Sequence, residues 1–177
     1  MEIKMNYKKL FEIQREKILA EPLAQQHRSF TMMLLHASYW MNAENILSTD
    51  CSGTLSFPLL CMNFNIRTRA DEFYRRVYVN PAANITRYYH RIIAIFYLKD
   101  GIATHVSPLV GRGVILDAVN EDQPVQLKAL EPVMRWYQRN GYDVDIRELA
   151  WEKVEEISGA KSAYWDIDDI LKELREM

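Results

Sequence analysis

With 177 residues, 49% of them hydrophobic and 26% charged, and with only six glycines and six prolines, the chain has the makeup of one folded globular domain. Disordered, collagen-like and coiled-coil classes are excluded, and no apolar run approaches the ~18–20 residues that cross a bilayer. A net charge of −2 supplies no basic field for a nucleic-acid backbone, so nucleic-acid binding is not expected.

The N-terminal stretch MEIKMNYKKLFEIQREK threads charges through its apolar residues and offers no signal-peptide core. As written, the chain is expected to stay in the cytoplasm, or to leave it by a route that the sequence does not encode. Leu10, Ile13 and Ile18 recur at near-helical spacing over 6–20, and Pro22 closes that helix. A second helix is expected over 23–37, and 42–50 reads as a loop. Ser48, Thr49 and Asp50 then supply capping oxygens for a helix starting near Cys51, with Pro58 expected to kink it or roughen its first turns. Thr68 and Asp71 fit a capping pattern for a helix over 69–77. From residue 92 the character changes: IIAIFYL, HVSPLV and VILDAV, separated by Lys99-Asp100-Gly101 and Gly111-Arg112-Gly113, predict an antiparallel meander. Helices are expected again over 129–139, 146–157 and 166–176. Residues 142–177 carry eleven acidic against five basic side chains, a local −6 that reads as a solvated helical face. Helices, then strands, then helices argue an α+β fold.

Two cysteines are too few for a disulfide scaffold, but they leave thiol chemistry open. A thiol is a useful nucleophile as thiolate, which a helix N-terminus stabilises, and Cys51 is expected at one. It needs a base, and the base needs a group that fixes its orientation. His105 opens the second strand of the meander and Asp117 lies on the third. Mirroring about Arg112 sets residue 105 opposite 119, which makes Asp117 a diagonal neighbour of His105, within reach of an imidazole. Cys61 reads as a small buried hydrophobe, and His27, His36 and His90 sit in no motif. Trp151 and Trp165 are expected to pack the C-terminal helices on the core.

Asp50-Cys51-Ser52-Gly53, preceded by Tyr39 and followed by Arg67-Thr68, a strand, His105-Val106 and Gly111-Arg112-Gly113, resembles the NlpC family of papain-like cell-wall peptidases. The resemblance covers about 39–118, under half of the chain. It implies a papain-like fold in which a core helix bearing the nucleophile packs on an antiparallel sheet, here with extra helices at both ends. It also implies Cys51 as nucleophile, His105 as base and Asp117 as the residue orienting His105. Tyr39, Asp50 and Ser52 match positions lining the substrate site, where the family receives the free amino end of a peptidoglycan stem peptide and cuts a γ-D-glutamyl–diaminopimelate or related amide. Neither a metal nor a cofactor is implied.

Three features depart from the family pattern. Asp117 stands where His, Asn or Gln is usual, Asn42-Ala43 replaces a glycine pair, and Pro58 interrupts the core helix. The expectation is a single papain-like domain, with N-terminal helices over 1–37, a catalytic core over 38–120 and a helical extension over 121–177. Its function would be that of a cysteine peptidase or amidase acting through a Cys-His-Asp triad on a stem peptide or cell-wall fragment. The alternatives are another thiol hydrolase or acyltransferase on the same scaffold, such as a transglutaminase-like enzyme, or a non-catalytic binding or assembly module. Oligomeric state is left open.

Overall fold

The computed structural model describes residues 7–35, 38–39 and 48–158, with the side chains of 9–35 and 49–158. The amphipathic N-terminal segment forms α1 (Tyr7–Leu19), which buries Phe11 and Ile18, and Pro22 separates it from α2 (Leu23–Met32). The second helix, expected to reach residue 37, ends at Met32 with Met33 as its C-cap, and residues 33–35 form a turn; residues 36–37, Asn42-Ala43, Trp165 and the helix expected over 166–176 lie outside the described residues. Two-residue strands β1 (Ser38–Tyr39) and β2 (Ser48–Thr49) pair in parallel, so the end of the expected loop is a bridge.

Next comes α3 (Gly53–Cys61), whose residues are all buried except Leu60. A helix apolar on every side belongs inside a core, which explains why it tolerates Pro58 mid-run: neighbours on all sides hold it. It continues through Pro58 rather than breaking there. After it, α4 (Ala70–Arg76) has Arg69 at its N-cap without a side-chain cap. The expected Thr68 cap is therefore corrected. Asp71 instead binds Arg75 and the Ala103 N–H.

The sheet combines β3 (Asn80–Pro81), β4 (Ile93–Lys99), β5 (Ile102–Gly111), β6 (Val114–Asp117), β7 (Gln126–Ala129) and β8 (Asp143–Glu148), with α5 (Leu130–Arg139) between the last two and α6 (Trp151–Ser158) after them. Strand order is β3-β8-β4-β5-β6-β7, antiparallel throughout. Asp100 and Gly101 both take positive φ, 52° and 78°, as a two-residue hairpin turn with the right twist requires. The helix expected over 146–157 is corrected: Asp143–Glu148 is a strand beside β4, and the helix starts only at Trp151. The strand was visible in the alternation of Val144 and Ile146 with Asp143, Asp145 and Arg147.

Core side chains divide by sheet face. Ala94, Phe96, Leu98 and Val106 pack with Leu55 and Leu59 of α3 and Phe73 of α4. Phe57 and Leu116 join Phe11 and Phe30 of the N-terminal helices on that side. On the other face, Ile93, Ile95, Tyr97, Leu109 and Ile115 are covered by Leu130, Val133 and Tyr137 of α5. Each fully buried side chain of this size contributes about 1.5–3 kcal/mol relative to exposure. Among the described residues, no helix is long and apolar enough to cross a membrane.

Candidate active site

Asp50 builds the turn that presents Cys51. Its carbonyl accepts the Thr54 N–H at 3.3 Å, and its Oδ1 accepts the Gly53 N–H at 2.7 Å and the Ser52 hydroxyl at 3.1 Å. The first turn leading into α3 is thus capped by an aspartate, with Cys51 as its first residue and its thiol at the positive end of the helix. Arg67 reaches back across the turn, giving Nη2 to Asp50 Oδ2 at 3.2 Å and Nη1 to Ser52 Oγ at 2.9 Å. The Arg67-Thr68 pair therefore works through its arginine, which braces the nucleophile turn, rather than through a threonine cap. Asp50 is 4% exposed and Ser52 7% exposed, so both are buried where they flank Cys51. Tyr39 enters from β1, its backbone paired with Thr49, two residues from Cys51.

The opposing half comes from the sheet face that α5 covers. Leu109 pairs with Ile115, and continuing that register by two residues sets Ser107 opposite Asp117, with His105 on the diagonal. The side chains meet accordingly: His105 Nε2 lies 2.7 Å from Asp117 Oδ1, and the Ser107 hydroxyl donates to the same oxygen at 2.9 Å. Lys128 Nζ donates to Oδ2 at 2.9 Å, so both carboxylate oxygens are engaged. Burial disfavours the charged form of Asp117, but hydrogen bonds and charge from His105 and Lys128 outweigh it and hold the group at about 2. An ionised carboxylate only accepts, so Nε2 carries the proton. Nδ1 is then the ring nitrogen left to face the Cys51 thiol, which is close enough to favour the imidazolium. Burial opposes the imidazolium as well, yet the bonds to Asp117 and Cys51 raise His105 to about 9.

Two aromatic rings complete the surroundings. Tyr97 of β4 stacks on His105 at 5.4 Å between centroids, and Tyr137 of α5 at 5.7 Å and only 13° from parallel. The structure brings together Cys51, His105 and Asp117 and buries Asp50 and Ser52 in the turn on either side of Cys51. Ser107, Lys128, Tyr97 and Tyr137 are additions that the motif reading missed. Ser107 was accessible to it, since a residue two positions from His105 on a strand shares its face. For Lys128 and Tyr137 no local signal exists. Among the described residues, no three His, Cys, Asp or Glu side chains cluster as metal ligands.

A thiol at a helix start facing a strand-borne imidazole, on a core helix packed against an antiparallel sheet, defines the papain-like class. No protein-family model matches the chain, and no curated protein matches it by sequence. Solved structures do match, and they place the fold with the NlpC/P60 proteins. An NlpC/P60 family protein from Bacillus cereus superposes with a TM-score of 0.55 at 17% identity, over 70% of this chain and 39% of that one. The chain thus spans under half the length of that protein. The NlpC/p60 domain of the peptidoglycan hydrolase SagA gives 0.51 at 14% identity, over 70% of this chain and 97% of that domain. RipD from Mycobacterium tuberculosis, a non-catalytic NlpC/p60 domain protein adapted to peptidoglycan binding, gives 0.51 at 14% identity, over 72% and 97%. At such identities the likeness is one of fold.

Proposed function

We propose that the chain is a cysteine peptidase or amidase that cleaves an amide in a peptidoglycan stem peptide or a similar peptide. The observation that carries this reading is the His105–Asp117 pair, 2.7 Å from Nε2 to Oδ1, beside a Cys51 thiol close enough to raise the imidazole, on a turn that Asp50 caps. The Cys51 thiolate attacks the amide carbon, and the resulting oxyanion lies over the first turn of α3. Among the described residues the Cys51 N–H meets no acceptor, which suits it as an oxyanion donor. Collapse of the tetrahedral species breaks the C–N bond as the imidazolium gives its proton to the leaving amine, and a thioester remains. His105 then takes a proton from water, whose oxygen attacks the thioester, releasing a carboxylic acid and restoring the thiol. Asp117 keeps the imidazole's orientation and tautomer throughout.

The substrate class comes from the likeness to the NlpC/P60 proteins, the peptidoglycan hydrolase SagA among them. A second reading is favoured by RipD, which carries the same fold without catalysis: a peptidoglycan-binding module. One experiment separates the two. Stem peptides containing the γ-D-glutamyl bond are incubated with the chain and with Cys51→Ala, and product amine is measured beside binding to insoluble peptidoglycan. Amine release that vanishes in Cys51→Ala supports hydrolysis. Binding without release in either protein supports the module.

A further inference from the structure

Lys128 belongs to the site by contact, yet neither the motif nor the reaction above uses it. It lies on β7, opposite Ile115 of β6, and its ammonium holds the Asp117 oxygen that His105 does not. A carboxylate in the third position sets a problem that a neutral amide does not. Buried against an imidazole, it favours the imidazolium, and an imidazolium held too firmly is a poor proton donor to a leaving amine. We propose that Lys128 is a positioning residue that compensates for the carboxylate: it fixes the rotation of Asp117 so that Oδ1 meets Nε2, and it offsets part of the negative charge that His105 experiences. The inference rests on the reading that Cys51 and His105 act as a pair.

The groups facing His105 are Cys51 from α3, Tyr97 from β4, Ser107 on its own strand, Asp117 from β6 and Tyr137 from α5. None of these brings a positive charge, and Lys128 sets a cation one carboxylate away from the imidazole. Its side chain is 26% exposed, against 1% for Asp117, and it opens on a cleft of about 310 Å³ that it shares with Gln123, Trp136 and Tyr137. A neutral residue there would leave its own position half-solvated, so the change bears on the carboxylate rather than on the core.

The test is an NMR titration of the histidine ring protons in the full chain, with His105 assigned by its loss in His105→Ala and folding checked by thermal melting. In Lys128→Met and Lys128→Gln the His105 midpoint is expected to move up by about one pH unit, the size expected on losing a nearby like charge. In Lys128→Arg it should stay near the parent value. No movement, downward movement, or an Arg variant that behaves like the Met variant would overturn the proposal. The underlying reading fails in a different measurement: if Cys51 alkylation is indifferent to His105→Ala, the Cys–His pair is wrong whatever the Lys128 variants do to the imidazole.

Discussion

The two thiols of the chain sit at the two ends of α3 and receive opposite treatment. At the N-terminal end Cys51 is partly exposed, rests on a capped turn and faces His105. At the other end Cys61 is sealed among Phe11, Phe30 and Phe57, and burial pushes its ionisation far above the ordinary thiol range. The helix dipole reinforces the contrast, since it favours an anion at the first turn and opposes one at the last. The two histidines that are buried among the described residues teach the same lesson. His105 has a carboxylate and rises to about 9. His27 in α2 has buried Nε2 without a partner and Arg28 alongside, and burial chiefly, then that charge, drives it down to about 3. Partners, not burial, decide which of these groups is chemically useful.

The largest expected effect tests the thiol contrast directly. In the folded chain at neutral pH, iodoacetamide should label Cys51 at least about 100-fold faster than Cys61, because a sealed, undissociated thiol is inert. His105→Ala should slow Cys51 by about tenfold or more, and any amidase activity should fall by about a thousandfold. Peptide mapping of the labelled sites over time measures both rates. Equal labelling of the two cysteines in the native chain would erase the distinction between the ends of α3.

Next in size is the brace on the Cys51 turn. Arg67 and Asp50 are nearly buried, with 14% and 6% of their side chains exposed, and removing one partner takes a charge-assisted bond from the other in a poorly solvated setting. Arg67→Met is expected to cost about 3 kcal/mol in chemical denaturation, because broken buried pairs typically lose about 3–5 kcal/mol and this one keeps some solvent. It should also slow Cys51 alkylation, since the turn that presents the thiol loosens, while Cys61 stays silent. A loss of stability without any change at Cys51 would show that Arg67 holds the fold but not the nucleophile.

How much of this was legible in the sequence differs between the two halves of the site. The nucleophile half could be read almost whole: Asp50, Cys51 and Ser52 are contiguous, and a cap followed by an apolar run is a local signal. The hairpin half was legible as far as its register, because Gly111-Arg112-Gly113 fixes which residues of β5 and β6 face each other. What β7 and α5 add was not. Lys128 meets Asp117 across eleven residues and Tyr137 meets His105 across thirty-two, and no turn or period connects either pair. The misread segment over 143–148 failed for a related reason. Its partner strand β4 begins fifty residues earlier, so no local turn marked the alternation of Val144 and Ile146 as one strand of a pair.

Acid and alkali should separate the two histidines in a stability profile. His27 stays neutral in the folded chain down to about 3, whereas unfolded it takes a proton near 6.5. Stability attributable to it is therefore lost as pH falls below about 6.5, at about 1.4 kcal/mol per unit until the folded group also titrates. For His105 the folded value lies above the unfolded one, so its contribution is complete below about 6.5 and disappears as pH rises through about 9. Asp117 adds stability above about 3.8 that goes as pH falls through about 2. Urea melts between pH 4 and 9 should show His27→Leu flattening the acid side only, and His105→Gln flattening the alkaline side only. A His27 variant with the parent slope below pH 6.5 would mean that the folded chain protonates this group near its ordinary value.

The smallest effect concerns the ring that α5 lays over the imidazole. Tyr137 lies against both His105 and Tyr97, with Tyr97 at 4.0 Å between centroids, and it lines the cleft beside Lys128. Its stack shields the His105–Asp117 bond from water, and hydrogen bonds between charged groups weaken when water competes for them. Tyr137→Phe preserves the ring and should change Cys51 alkylation less than twofold. Tyr137→Ala removes the cover and should slow it about three- to tenfold, with a fall in melting temperature from the lost aromatic packing. If Phe and Ala slow the thiol equally, the phenolic hydroxyl rather than the ring is what α5 contributes. The contrast between the two thiols would then depend on a polar contact beside the imidazole and not on its shelter.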